Sequence, residues 1–498
     1  MSHTHITTPV DSKRMPTGIP GLDSVLRGGI KPSRLYLVQG APGTGKTTLA
    51  LQFLLEGAKR GERGLYITLS ETADELKDVS LSHGWLLDDL TIVELVNEAG
   101  LDPEQEQSIL HPSELELGET TREIMQCIED KAPARIVLDS LSEMRLLANS
   151  GLRYRRQILA LKHFFSHRNC TVLLLDDNTM EPGDAHLHSI VHGVIRLEVT
   201  AQDFGVERRR MRIAKMRGMK YDSGYHDMAL ETGGLQVFPR LVAALHQQQF
   251  EPALKSTGTP ELDSLLGGGM LTGTNTLFTG PAGVGKTTTV MSCIYAALRR
   301  GERCVYYLFD ERLGTLLIRC KALGMDVGDY VESGSLVINQ IDPAEISPGE
   351  FAARVCAAVS EQKATFVAID SLNAYLHSMP GERHLLLQMH ELLTYLNQQG
   401  VISLVVLSQH GVVGDMRVDV DLSYVSDSVV LFRFFEAAGR IQSAVSVLKT
   451  RTSANDNSIR QLTLDANGVH VGEALKDFEG ILTGAPSYRG ATPLMETE

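Results

Sequence analysis

Lys46 and Thr47 close the run Gly40-Ala41-Pro42-Gly43-Thr44-Gly45-Lys46-Thr47, which fits G-x-x-x-x-G-K-[ST]. Residues of these types at this spacing hold phosphate. Glycines let the backbone curl until several N–H groups point at one anion. The lysine then reaches the β- and γ-phosphates, and the threonine hydroxyl ligates Mg²⁺. Gly40, Gly43, Thr44, Gly45, Lys46, Thr47 and Thr48 are the candidate nucleotide contacts. The run recurs 240 residues later, from Gly280 to Thr287, and makes Gly280, Gly283, Val284, Gly285, Lys286, Thr287 and Thr288 a second set.

Acidic residues follow each loop. Ile136-Val137-Leu138-Asp139-Ser140 and Val367-Ala368-Ile369-Asp370-Ser371 each end an apolar run in an aspartate. An Asp so placed holds Mg²⁺ through its water shell; on the plainer reading it caps a strand-to-helix turn. With Thr47 and Thr287, Asp139 and Asp370 are the candidate metal residues. Glu71 ends Leu65-Tyr66-Ile67-Thr68-Leu69-Ser70-Glu71, and Asp310-Glu311 ends the matching Tyr307-Leu308-Phe309. Neighbouring carboxylates raise one another's pKa and let one act as a base near neutrality. Glu71, Asp310 and Glu311 are thus the candidate bases for an attacking water. Both segments lead into helices with acidic first turns, so capping would use the same residues.

A phosphate loop needs a strand before it and a helix after it. Arg34–Val38 is short and apolar, as a buried strand is, and 47–59 carries Leu, Ala and Phe at helical spacing without proline. The helix N-terminus adds positive potential. Further apolar runs at 65–69, 135–138 and 171–175 alternate with helical stretches, the mark of a parallel sheet with crossover helices. The runs 193–199 and 208–216 read as antiparallel additions, joined by a polar turn around Gln202-Asp203. The second half repeats this order at 276–278, 304–309, 366–369, 402–407, 429–435 and 444–449. Gly18-Ile19-Pro20-Gly21-Leu22-Asp23-Ser24 likewise matches Gly258-Thr259-Pro260-Glu261-Leu262-Asp263-Ser264. A repeat of domain length means duplication. The expected layout is a disordered 1–15, a first domain at 16–240, a linker at 241–255, a second domain at 256–484 and a mobile tail at 485–498.

At 498 residues the chain is long enough for two well-cored domains. Its 47 Lys and Arg against 61 Asp and Glu leave a charge of −14, which disfavours bulk attraction to nucleic acid or anionic lipid. Six scattered cysteines without C-x-x-C suit free thiols in a reducing cytosol. The polar N-terminus lacks a signal core, and no apolar run is long enough to span a membrane. A cytoplasmic protein is expected.

Taken together, the two phosphate loops, the GxxxLDSxLxGG lead-ins, the carboxylates after the second strand and the VLDS and AIDS strands resemble the KaiC family over about residues 16–484. These are double-domain ATPases of the RecA-like superfamily. The resemblance implies an α/β fold of two tandem RecA-like P-loop NTPase domains, each a mostly parallel sheet with flanking helices. It implies ATP and Mg²⁺ as cofactors, and a two-tier homohexamer with ATP at the subunit interfaces. Slow hydrolysis is implied in the first tier, autophosphorylation and dephosphorylation in the second. The family carries two adjacent catalytic glutamates per domain; here stand Ser70-Glu71 and Asp310-Glu311. Its nucleotide-contacting K-x-R falls on Lys215-Met216-Arg217 and Lys449-Thr450-Arg451, cations that would meet a neighbour's γ-phosphate. Its phosphoacceptor Ser and Thr fall on Ser423 and Tyr424, just before Val425-Ser426-Asp427-Ser428. Ser423 keeps a primary hydroxyl, for which ATP bound at Lys286 and Thr287 of the adjacent subunit would be the donor and Glu311 the base, whereas the Tyr424 oxygen sits farther from the backbone, so a two-site cycle is shortened or lost. The implied partners are further copies of the chain and a KaiB-like or other signalling protein. Little chain follows Asp477-Phe478-Glu479-Gly480-Ile481-Leu482, where clock-type members carry an extension used by an activator, so circadian timing is not expected.

Two other classes compete. A RecA- or DnaB-like DNA motor would need basic channel loops or an added DNA-binding domain, and neither is recognisable. An ATP-binding scaffold with little turnover is the reading to which Ser70 points. His186, His188 and His192 read as an exposed polar segment, Arg208-Arg209-Arg210 as a solvated or intersubunit run, and Trp85 as a helix end packed on the core.

Overall fold

A computed structural model describes residues 14–95, 112–148, 150–177, 184–202, 205–377, 384–409, 425–437, 439–451, 455–482 and 487–490. The chain divides into two compact units, residues 1–240 and 241–498.

The first unit runs α1 Pro20–Val25, β1 Leu35–Gln39, α2 Lys46–Lys59, β2 Gly64–Thr68, α3 Ala73–Ser82, β3 Leu90–Glu94, α4 Pro112–Lys131, β4 Arg135–Asp139, α5 Leu141–Leu147, α6 Gly151–Ser166, β5 Thr171–Asp176, α7 Asp184–Ile190, β6 Gly193–Thr200, β7 Arg208–Met216, β8 His226–Glu231 and β9 Gly234–Phe238. Its nine strands form one sheet in the order β3-β2-β4-β5-β1-β6-β7-β8-β9. Pairing is parallel from β3 to β6 and antiparallel from β6 to β9. Strands β1, β2 and β4 are buried along their whole length. Apolar clusters on the two faces of the sheet account for this: one is built around α2, the other around α4 and α6.

The second unit runs β10 Leu254–Lys255, α8 Pro260–Leu265, β11 Met270–Leu271, β12 Asn275–Pro281, α9 Lys286–Arg299, β13 Cys304–Leu308, α10 Leu313–Ala322, α11 Gly328–Glu332, β14 Leu336–Gln340, α12 Pro348–Ser360, β15 Phe366–Asp370, α13 Leu372–His377, α14 Leu385–Gln398, β16 Ile402–Gln409, β17 Ser428–Ala437, β18 Arg440–Thr450, β19 Arg460–Asp465, β20 Gly468–Ala474, β21 Phe478–Glu479 and β22 Ser487–Tyr488. Its main sheet, β14-β13-β15-β16-β12-β17-β18-β19-β20, has the same order as the first. Both units are therefore α/β, with a mostly parallel sheet between helical layers.

The two antiparallel additions expected in each half are β6–β7 and β17–β18. The sheet continues past them into β8–β9 and β19–β20. The expected turn at Gln202-Asp203 lies partly outside the described residues. Residues 241–255, expected as a linker, run along the second unit. Ala243 is buried in its core and its N–H donates to Glu391 Oε2 at 2.9 Å. Phe250 lies over Gly273 and Gly400, and β10 pairs with β11. Apolar side chains within this polar-looking stretch hold it there. Of the segments expected to be disordered, 1–13 and 491–498 lie outside the described residues. Met15 bridges Ile30, and β22 pairs with β21, its Tyr488 ring 5.3 Å from Phe478.

The duplicated cores differ at one buried place. Arg135, fully buried at the start of β4, pairs with Glu62 at 2.6 Å and donates to the carbonyls of Pro16 and Phe53. The corresponding first residue of β15 is Phe366. Helix α2 passes Arg135 at Gly57, where a Cβ would lie 2.5 Å from Arg135 Cδ; α9 passes at Ala297.

Candidate nucleotide sites

In the first unit, β1 delivers the chain to Gly40, whose N–H donates to Asp176 O at the end of β5 (3.3 Å). The loop ends at Gly45, which caps α2 with φ +96°; Gly285 caps α9 with φ +108°. This left-handed backbone suits glycine, and it turns the first amides of each helix toward the loop. Lys46 Nζ donates to the carbonyls of Gly40 (2.9 Å) and Ala41 (3.1 Å) and pairs with Asp177 at 2.8 Å.

Asp139 ends β4, two strands from the loop, and is nearly buried. Its Oδ2 accepts a 2.5 Å hydrogen bond from Tyr66 of β2. Burial pushes the Asp139 carboxyl above the ordinary range, and the Tyr66 bond and the Lys46 charge oppose that. Glu71 lies just past the end of β2. Thr68 Oγ1 fixes that turn, accepting from the N–H groups of Ser70 (3.3 Å) and Glu71 (2.9 Å) and donating to Glu71 O (2.7 Å). Glu71 Oε2 is buried and has no hydrogen-bond partner among the described residues. Its pKa is raised, first by burial, then by the negative charges of Asp139 and Glu75, with Lys46 opposing. The helix after it is capped by Thr72 and Glu75 in a reciprocal capping box, so α3 does not need Glu71 as its cap.

The second unit repeats the frame with different contacts. Lys286 Nζ donates to the carbonyls of Gly280 (2.9 Å) and Pro281 (2.7 Å), and burial lowers its pKa to about 8. Asp370 accepts from Tyr306 at 2.6 Å and from the Thr287 hydroxyl. Asp310 is exposed and accepts from Ser371 Oγ. Glu311 is gripped at both oxygens by Arg319 of α10, each bond 2.8 Å. Contrary to expectation, α10 has no acid in its first turn: Arg312 precedes it and Leu313-Gly314-Thr315 opens it. The Asp139–Ser140 and Asp370–Ser371 peptides are both cis.

The sequence-predicted residues thus fall into two groups. Each loop lysine, the aspartate at the end of the β4 or β15 strand and the carboxylates after β2 or β13 gather at the C-terminal ends of the parallel strands. Lys215 and Arg217 lie elsewhere. Met216 is in register with Gly193, which is in register with Tyr36, and Arg217 N donates to His192 O, level with the start of β1. Lys215 Nζ donates to His188 O and Val191 O, and Arg217 to Ser189 O. Lys449 donates to Ser426 O at 2.8 Å, and Arg451 stands 3.7 Å from Asp427. Both K-x-R pairs therefore lie toward the sheet end away from their own unit's loop. Ser423 and Tyr424 lie outside the described residues, immediately before the Val425–Asp427 segment that Lys449 and Arg451 hold.

Other residues at the site were not singled out from sequence. Tyr66 and Tyr306 look like core aromatics. Asp176 is fully buried, and Arg145 donates to both its oxygens at 3.0 Å; Gln39 joins it to His188. The Asp176-Asp177 pair closing an apolar run was the available signal. His192 lies past the end of α7 and accepts from Leu35 N, and among the described residues no cluster suits a metal ligated by His, Cys, Asp and Glu.

A protein-family model described as "ATPase: KaiC" matches residues 15–242 and again 255–476. The chain belongs to the KaiC ATPase family. The circadian clock protein KaiC3 of Synechocystis sp. is 26% identical over 96% of this chain and 95% of its own length. The circadian clock oscillator protein KaiC of Prochlorococcus marinus is 26% identical over 95% of each chain, and that of Parasynechococcus marenigrum 26% over 96% and 94%. The two nine-stranded sheets are the tandem RecA-like domains of this family, and the glycine-lysine loops are its ATP-binding P-loops. Among the described residues no helix is long and apolar enough to cross a membrane.

Proposed function

We propose that each unit binds Mg·ATP and that the first unit hydrolyses it slowly, with Glu71 as the base. The observation that carries this is the Glu71 carboxylate, buried and unpartnered at one oxygen beside Asp139 and Lys46. Lys46 and the α2 amides bind the phosphates. Thr47 and Asp139, and Thr287 and Asp370 in the second unit, are the residues that would hold Mg²⁺. The pairing of the Thr287 hydroxyl with the buried Asp370 carboxylate is the donor set a hydrated hard cation takes. When bound, Mg²⁺ neutralises charge on the β- and γ-phosphates. Glu71 accepts a proton from water as its oxygen attacks the γ-phosphorus, and ADP leaves. Ser70 removes one carboxylate of the family's pair, so this turnover rests on Glu71 alone.

The assembly in this reading is an ATP-dependent homohexamer. Lys215, Arg217, Lys449 and Arg451 lie too far along the sheet to serve their own phosphate loops, which suits contact with a neighbour's nucleotide. Ligand bound only by the assembled state stabilises it by linkage. In the second unit γ-phosphoryl passes to Ser423, whose neighbours 425–427 adjoin Lys449 and Arg451. Because Arg319 occupies both oxygens of Glu311, the expected base, the exposed Asp310, which no cation neutralises among the described residues, takes its place as the acceptor for the Ser423 proton. A KaiB-like or other signalling protein reads the outcome. Light scattering with saturating ATP should give a hexamer, and phosphopeptide mapping after incubation with Mg·ATP should find Ser423, lost in Lys286→Ala. A monomer with ATP contradicts the assembly. Phosphate absent from Ser423 contradicts the kinase and favours the scaffold, and stimulation of turnover by single-stranded DNA would favour a DNA motor.

A further inference from the structure

The second unit holds its glutamate in a way the first does not. Glu71 and Glu311 each stand three residues past the end of a strand, β2 or β13, and two before a helix, α3 or α10. From these matching starts the surroundings diverge. Arg319 sits about two turns into α10 and forks onto both Glu311 oxygens at 2.8 Å, with the pair only partly exposed. The position 240 residues earlier is Val79, which packs on the first unit's core and offers no donor. Glu71 Oε2 has no partner among the described residues.

A carboxylate gripped by a guanidinium fork has one acceptor site on each oxygen occupied, and its orientation is fixed by the two parallel bonds. Turning either oxygen toward a water would break a charge-assisted bond of the fork. We propose that Arg319 is a positioning residue that holds Glu311 out of water activation, so that the second unit hydrolyses ATP more slowly than the same frame would without it. This rests on the reading of Glu71 and Glu311 as equivalent base candidates. Hydrolysis would be restrained where a phosphoryl group is to be kept for a hydroxyl, and Val79 would leave the first unit unrestrained.

The test uses the full chain with Glu71→Gln, which silences the first unit while keeping its nucleotide bound. In that background Arg319→Val and Arg319→Met, the second keeping the side-chain stem, should raise kcat for hydrolysis about tenfold, part of the range a general base supplies. KM for ATP should stay unchanged. Adding Glu311→Gln should remove the gain. Arg319→Lys, a single point charge, should fall between. The reciprocal Val79→Arg, with Lys286→Ala to silence the second unit, should slow the first about tenfold. Unchanged or lower kcat in both Arg319→Val and Arg319→Met, with ATP still bound, overturns the proposal but leaves the Glu71 reading intact. If Glu71→Gln leaves first-unit turnover untouched, the base reading fails and the proposal with it.

Discussion

The hydroxyl of Tyr66 stands 2.5 Å from Asp139 Oδ2, and across the duplication Tyr306 meets Asp370 in the same way at 2.6 Å. Each tyrosine comes from the strand beside the aspartate's own, so the sheet register fixes the contact. The bond stabilises the charged form of a carboxylate whose pKa burial raises. Tyr66→Phe keeps the ring and removes only the donor. Outer hydrogen bonds to metal-binding groups commonly contribute 10- to 100-fold in affinity. Tyr66→Phe should therefore raise the Mg²⁺ concentration needed for half-maximal first-unit hydrolysis about tenfold, measured with Lys286→Ala. An unchanged Mg²⁺ requirement would make Tyr66 a core residue only.

The acid limb of the first unit's activity follows from the same charges. Burial, then Asp139 and Glu75, raise the Glu71 pKa. A base must be unprotonated, so kcat/KM falls as pH drops through this raised value. In the Lys286→Ala chain that fall should lie above the ordinary carboxylate range. A limb at the pH of an exposed glutamate would contradict the assignment.

Lys286 leads to an alkaline limb. Burial lowers its pKa to about 8, and phosphate binds the charged form. Above pH 8 the free lysine is mostly neutral, so ATP binding to the second unit must take up a proton. Affinity there should weaken about tenfold per pH unit between 8 and 10. Calorimetry of the Lys46→Ala chain at pH 9, in buffers of different ionisation enthalpy, should show uptake of nearly one proton. No proton uptake would contradict it.

Gly57→Ala tests the packing beneath α2. The new Cβ would lie 2.5 Å from Arg135 Cδ, and Arg135 is pinned by Glu62, Pro16 and Phe53. Overpacking of this kind costs about 1–3 kcal/mol, outweighing the helix propensity gained, about 1 kcal/mol. Thermal melts should show the first unit destabilised; a stabilised Gly57→Ala chain would contradict the contact.

Local patterns made much of this legible. The strand–glycine loop–helix order of 34–59 and its recurrence 240 residues later place both P-loops, because apolar runs and glycine spacing are properties of the chain itself. The edge strands β3 and β14 escaped that reading. They are short and half-exposed, so their pattern is weak. Tyr66 and Tyr306 were hidden because a tyrosine inside a buried strand looks like core until its hydroxyl's partner on the next strand is known. Arg319 was hidden for a related reason. Its tie to Glu311 depends on how α10 leaves the sheet, and only the folded arrangement shows that Val79 breaks the symmetry.

The central claim is that Glu71 drives hydrolysis in the first unit. Its most direct measurement is steady-state Mg·ATP turnover of the Lys286→Ala chain with and without Glu71→Gln, alongside ATP binding to both. Glu71→Gln should lower turnover by about 10²- to 10⁴-fold with ATP affinity unchanged, the range expected for loss of a general base. Turnover equal in the two chains would contradict the account and leave Glu71 as a structural residue beside a site whose base lies elsewhere.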